Sequence, residues 1–295
     1  MKRSFIEYMT IVIAFFVLAA TVVLSIGMAI GKNRVNNTQN ETVKYYSEKN
    51  YYYNEADYNE FLYNCGRGED ISDKGDFVSA VSETVWVDET FHWNNPQPKS
   101  RLLTENEMEQ YSKGSLTLTL DTSLRYSAAN GIYYIACNAA WGSPNAEKPQ
   151  LSSWLDNMDF LGITWGGNRL LELNDQTANG VYHDGTTLTT SRRISDGYGC
   201  FIWQFKERKL SGYMKTVSIN LQLKNIKPAS GKDADVKVSY IHTYNNSKSI
   251  FTNENFEHAG QNDVPSATPE GYAPYINVYG KDFWRLDFSL PGLKY

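Results

Sequence analysis

From Asp76 onward the chain alternates apolar and polar residues with a period of two, and this alternation decides its fold class. Val81, Val85 and Val87 share one face of an extended run. Leu116, Leu118 and Leu120 alternate with Thr117 and Thr119. Val217, Ile219, Leu221 and Leu223 alternate with Ser218, Asn220, Gln222 and Lys224, and Val236, Val238 and Tyr240 with Lys237 and Ser239. Such runs are strands with one buried face. The runs GIYYIACNAAW and DFLGITW are apolar at both parities, which predicts central strands covered on both sides. GCFIWQF, YINVY and FWRLDF add further strands. Asn130-Gly131, Gly166-Gly167, Asn179-Gly180, Asp184-Gly185 and Asp196-Gly197 read as turns. One helix interrupts the pattern, TENEMEQYSKG, with Thr104 and Glu107 at capping-box spacing and Gly114 at the C-cap position. Residues 245–273 are polar and proline-punctuated, a long loop. No repeat of solenoid length is present. Residues 76–295 therefore predict an all-β sandwich of immunoglobulin-like or jelly-roll type.

The N-terminus obeys a different rule. Met9 to Ile30 contains no charged residue. As a helix this run reaches about 33 Å, enough to cross a hydrocarbon core of roughly 30 Å. It predicts a transmembrane helix at 9–30, after a cytoplasmic tail at 1–8. A single pass would anchor the chain in the cell membrane, with its large C-terminal part outside the cytoplasm. Removal as a secretory signal is the alternative, with Gly27-Met28-Ala29 as the exit site. Residues 31–75, rich in Asn and Tyr, read as a polar stalk. Within it Asn54 to Tyr63 predicts a short helix with Tyr58, Phe61 and Leu62 on one side. Glu7 stands at headgroup depth, where a carboxylate favours the start of a helix.

Glu7-Tyr8 before an apolar run resembles the N-termini of pilin-like proteins of the Flp/Tad type. That resemblance implies self-association through the helix, with Glu7 and Tyr8 as assembly residues. The chain departs from the pattern: no Gly precedes a processing point, and counting from Phe5 makes Glu7 the third residue and not the fifth. Residues 115–243 carry a second likeness. The order YYIACNAAW, ITWGG, GCFIWQF, YMKTVSINLQL, VKVSYIHTY is similar to a group of uncharacterised exported proteins of Gram-positive bacteria. It implies an extracytoplasmic β domain and no activity.

Charge narrows the partners. The chain carries −5; residues 1–34 hold a net +3, so the remainder holds −8. That is no footprint for nucleic acid. The partners left are the lipid bilayer, a glycan or cell-wall polymer, and a second copy of the chain. Seven Trp suggest sugar stacking. Trp141 and Trp203 fit the core. Trp93, in HWNNP, and Trp165, followed by Gly166-Gly167-Asn168, are the indoles expected at the surface, with Asn168 as a hydroxyl-binding neighbour. Cys137 and Cys200 offer a disulfide outside the cytoplasm or two buried thiols. His183-Asp184 with Asp196 would ligate a metal only if the fold brought them together, and no ligand-spaced motif or cofactor signature occurs. Asp156, Asp159 and Asp175 stand in turn-like contexts. With no GxSxG, Walker A or Cys/His pattern, binding or assembly is expected ahead of catalysis. A pilin-like subunit and a secreted glycan-active hydrolase are the alternatives.

Overall fold

The computed structural model describes residues 45–68, 74–92, 95–111, 116–142, 158–166, 170–188, 192–195, 199–209, 212–226, 233–234, 236–243, 248–250, 277–279 and 283–294. The 9–30 segment, Glu7, Tyr8, Trp93, Asn168, Asp196 and Gly114 lie outside them. Among the described residues no helix is long and apolar enough to cross a membrane. Residues Tyr45–Tyr295 make one compact unit.

In chain order the described elements are β1 (Ser47–Tyr52), α1 (Glu55–Asn64), β2 (Asp76–His92), β3 (Asn95–Leu102), α2 (Glu105–Tyr111), β4 (Leu116–Ser127), β5 (Ile132–Gly142), β6 (Met158–Trp165), β7 (Leu171–Tyr182), β8 (Thr187–Leu188), β9 (Arg192–Ser195), β10 (Cys200–Lys206), β11 (Arg208–Lys209), β12 (Gly212–Asn225), β13 (Val236–Thr243), β14 (Lys248–Ile250), β15 (Asn277–Tyr279) and β16 (Phe283–Leu290). A nine-stranded sheet runs β1-β2-β4-β5-β12-β7-β8, with β3 on β2 and β11 on β12. A five-stranded sheet runs β16-β13-β6-β10-β9, and β14 pairs β15 separately. The sandwich is wider than the immunoglobulin and jelly-roll forms the strand spacing suggested.

The alternation explains the layering. Leu118, Leu120, Ile135, Cys137, Ile219 and Leu221 from the large sheet join Leu161, Ile163, Phe201, Trp203, Val238 and Tyr240 from the small one in a single buried cluster. Each fully buried large apolar side chain contributes about 1.5–3 kcal/mol. Two strands depart from expectation. β5 is central, yet only its inner face is fully buried; Tyr134, Ala136, Asn138 and Ala140 on the outer face are half-buried. β13, read as having one buried face, is buried at every position. DFLGITW is covered on both faces as expected. Asn179-Gly180 lies inside β7 and is no turn, and a Cβ at Gly180 would come within 2.8 Å of the Met214 sulfur. Gly131 and Gly185 do form turns at positive φ.

The compact unit includes Tyr45 and the residues after it, well before Asp76, so about two thirds of the expected stalk, residues 45–75 of 31–75, belongs to the unit that carries the sandwich. β1 pairs antiparallel with β2. The short helix expected at 54–63 is α1, with Asn54 as N-cap accepting from the Ala56 N–H at 2.9 Å. Its Tyr58 and Leu62 close over Ala80 on the outer face of β2, with Tyr52, Phe61 and Phe77 around them. Of the tyrosines that made this stretch look like a solvated spacer, Tyr58 is buried and Tyr45 and Tyr52 are half-buried, each with its hydroxyl bonded to the sheet, whereas Tyr51, Tyr53 and Tyr63 stay exposed.

Candidate functional site

Antiparallel register builds polar rows across the outer face of the large sheet. Arg125 stands opposite Tyr134, Tyr134 opposite Gln222, and Gln222 opposite Asp175. The next row is Ser123, Ala136, Asn220 and Thr177. The third is Asp121, Asn138, Ser218 and Asn179. Four strands at about 4.8 Å each make rows roughly 14 Å long. Ser123 and Ala136 are small, so the second row is low beside the Tyr134 ring. A groove forms there, lined by residues of the first two rows with Lys74 at its edge.

The groove side chains are already partly organised. Asn220 Nδ2 donates to Thr177 Oγ1 at 3.3 Å, and Gln222 Nε2 to Asp175 Oδ2 at 3.4 Å. A register shift between Gln222 and Leu223 leaves Asn174 as an extra residue on β7, and its Nδ2 donates to Gln222 Oε1 at 3.3 Å. Such a bulge re-aims side chains at one point of a sheet. Asp175 Oδ1 accepts from the Gln176 N–H at 2.8 Å.

α1 is fastened to the β4 end of these rows. Asp121, fully buried, accepts from the Tyr58 hydroxyl at 2.8 Å, pairs with Arg67 just beyond the helix, and is 3.4 Å from Asn138 Nδ2. Arg125, also buried, reaches Glu55 at 2.5 Å and the Gly75 carbonyl at 3.1 Å. These bonds hold the helix over β2 and β4 and leave the outer faces of β5, β12 and β7 open.

A second polar cluster lies inside the sandwich. The Tyr240 hydroxyl donates to Asp159 Oδ2 at 2.7 Å, and the Thr243 N–H donates to Asp159 Oδ1 at 3.0 Å. His242 Nδ1 is 3.0 Å from Asp159 Oδ2 and 3.5 Å from Glu207 Oε2. Burial, then the Asp159 and Glu207 carboxylates, push the Tyr240 hydroxyl well above its ordinary range, so it stays a donor.

The expected site residues fall out as follows. Trp165 is 1 % exposed and its indole N–H donates to the Leu171 carbonyl at 3.2 Å, so it is core and no surface platform. The Gly-Gly pair after it suggested exposure, yet Trp165 keeps the inward parity of Leu161 and Ile163. Trp141 and Trp203 are core as expected. Cys137 and Cys200 are two buried thiols and form no disulfide. Cys137 faces the shared core, whereas Cys200 has the parity of Ile202, opposite to Phe201 and Trp203. His183 and Asp184 sit in an exposed turn. Asp175 and Asp159 are not in turns: one lines the groove and the other is buried on β6. Asn220, Gln222 and Tyr134 could have been picked out by their outward parity. His242 continues the inward parity of Val236, Val238 and Tyr240.

No protein-family model matches the chain, and no curated protein matches it in sequence. Among solved structures it is similar to the KRT10-binding region domain of the pneumococcal serine-rich repeat protein PsrP, at 13% identity and TM-score 0.24, over 55% of this chain and 86% of that one. It is similar to a Fap1 fimbriae structure of Streptococcus parasanguinis at 10% and 0.24, over 55% and 74%. It is also similar to Clostridium perfringens delta-toxin at 7% and 0.27, over 75% and 92%. At such TM-scores no residues are equated and no activity is carried over.

Proposed function

We propose that this chain is a membrane-tethered binding module, held by residues 9–30 and displaying its sandwich outside the cytoplasm. Its groove over β4, β5, β12 and β7 takes a neutral, hydroxyl-rich polymer such as a glycan or cell-wall polysaccharide. One observation carries the reading. The strands at the middle of the large sheet place amides, hydroxyls and a Tyr ring on their open face, in rows, while their other face is apolar core. Amides and carboxylates beside a ring are the groups that grip sugar hydroxyls and the apolar face of a pyranose. The uncharged apolar run at 9–30 supports the tether.

Purified full-length protein in detergent micelles, tested for retention on insoluble glycan and cell-wall polymers, checks this. Retention should fall at least tenfold in Asn220→Ala/Gln222→Ala and in Tyr134→Ala, and remain in Lys215→Ala, an exposed change outside the groove. No retention in the parent, or equal retention in the groove variants, overturns the reading.

A further inference from the structure

We propose that Asp159, Glu207 and His242 form a binding site for one divalent first-row metal ion, with Zn2+ the best match, inside the sandwich. This is independent of the groove. The three residues come from neighbouring parts of the small sheet. Asp159 lies on β6, between β13 and β10. His242 follows the Ile241–Phe160 pair of β13 and β6 and so stands opposite Asp159. Glu207 follows the Lys206–Met158 pair at the end of β10. One ligand atom from each lies within 4.8 Å of the other two.

The two spacings from His242 are those of neighbouring ligands in a coordination shell, and the two carboxylates lie within 4.8 Å of each other. His242 Nδ1 stands 3.0 Å from Asp159 Oδ2 and 3.5 Å from Glu207 Oε2. With metal–N and metal–O bonds of about 2.0–2.2 Å, neighbouring ligands of a tetrahedral or octahedral ion are about 2.8–3.6 Å apart. All three side chains are 1–2% exposed. Two carboxylates and one imidazole gathered out of water repel as like charges at the acids, and a divalent cation among them offsets that cost.

The groups behind the ligands match this role. The Thr243 N–H occupies Asp159 Oδ1, and the Tyr240 hydroxyl takes one lone pair of Oδ2; the other side of Oδ2 faces His242 Nδ1 at 3.0 Å, and an ion bound by both atoms would replace that contact. The Trp141 N–H in turn holds the Tyr240 hydroxyl at 3.2 Å. Outer partners of this kind fix the direction of a ligating carboxylate. One nitrogen, two carboxylate oxygens and no thiolate suit Zn2+ or Mn2+ and not Cu(I). Burial makes the site structural: the ion would tie β6, the end of β10 and β13 together.

The test uses the full-length protein in micelles, stripped with chelator and dialysed. After exposure to Zn2+ and desalting, elemental analysis should return about one ion per chain, with a raised melting temperature. Co2+ should give visible absorption bands of low-coordinate N/O ligation. Glu207→Gln and His242→Gln should each lose at least tenfold in affinity and lose the metal-dependent melting shift. Should those variants fail to fold, the parent alone decides: no stoichiometric Zn2+ or Mn2+, no melting shift and no Co2+ bands overturn the site. Unit stoichiometry that persists in both variants also overturns it, since the ion then sits elsewhere.

Discussion

The indole N–H of Trp141 donates to the hydroxyl of Tyr240 across 3.2 Å, joining β5 of the large sheet to β13 of the small one through the interior. The same hydroxyl donates onward to Asp159 at 2.7 Å. Tyr240→Phe keeps the ring against Trp284 and Phe205 but removes both bonds. A buried N–H and a buried carboxylate are then each left with one partner fewer. The expected loss is roughly 2–4 kcal/mol, from about 1–3 per unsatisfied buried group. Urea unfolding should show a lower midpoint at an unchanged slope; an unchanged midpoint would mean that this cross-sheet bond contributes nothing.

Asp121 is the point at which α1 is fastened to the sheet. Its carboxylate is fully buried, while the Arg67 side chain it pairs with is 19% exposed. Removing one partner of a buried pair costs about 3–5 kcal/mol, and the partial exposure of Arg67 places Asp121→Ala near the lower end. The same change removes the bond from the Tyr58 hydroxyl to Asp121. Hydrogen exchange should accelerate across 55–64 in Asp121→Ala while β5 and β12 stay protected. Equal acceleration throughout would instead mean that α1 and the sheet open as one unit.

Glu107 gives the sandwich one acid-sensitive contact. Its carboxyl is held at about 2, below the ordinary 4.5, first by the Thr104 N–H, then by the Thr104 hydroxyl, with Arg101 adding to both. The unfolded chain therefore takes up this proton at higher pH than the folded one. The contact's contribution is complete above pH 4.5, declines as pH falls below it, and is gone once pH has passed through 2. The side chain is partly solvated, so the effect is small. The melting difference between parent and Glu107→Gln should be largest near neutrality and close to nil at pH 2. A difference independent of pH would assign the stabilisation to packing.

Parity made much of this legible in advance. A period of two is imposed by strand geometry, so SLTLTL, VSINLQLK and the capping box at Thr104 could be placed from residue types alone. What covers a face is set by pairing far along the chain, and parity does not carry that. β5 looked covered because Ala136 and Ala140 are apolar, yet both stay only half-buried, and Ala136 lines the groove. Trp165 looked exposed because of the glycines after it, yet parity turns it inward. The stretch from Tyr45 to Leu62 looked like a stalk because Tyr and Asn are half-polar, and only long-range pairing with β2 and Asp121 shows it to be folded. The Asp159, Glu207 and His242 cluster joins residues up to 83 positions apart, as in the His242–Asp159 contact, which no local pattern displays.

The three thiols test the layering directly. Cys65 is exposed, whereas Cys137 and Cys200 are wholly buried. Burial pushes the Cys137 thiol far above its ordinary value, and it is the thiolate that attacks thiol reagents. Cys137 points between the sheets and Cys200 has the opposite-facing parity of its own sheet, so no rotation of either side chain brings their sulfurs together. Ellman titration of non-reduced protein should count one fast thiol under native conditions and three in denaturant. A count of one in denaturant would establish a bond between the two buried cysteines, and then β10 would have to turn its other face to the core, with Phe201 and Trp203 displaced outward.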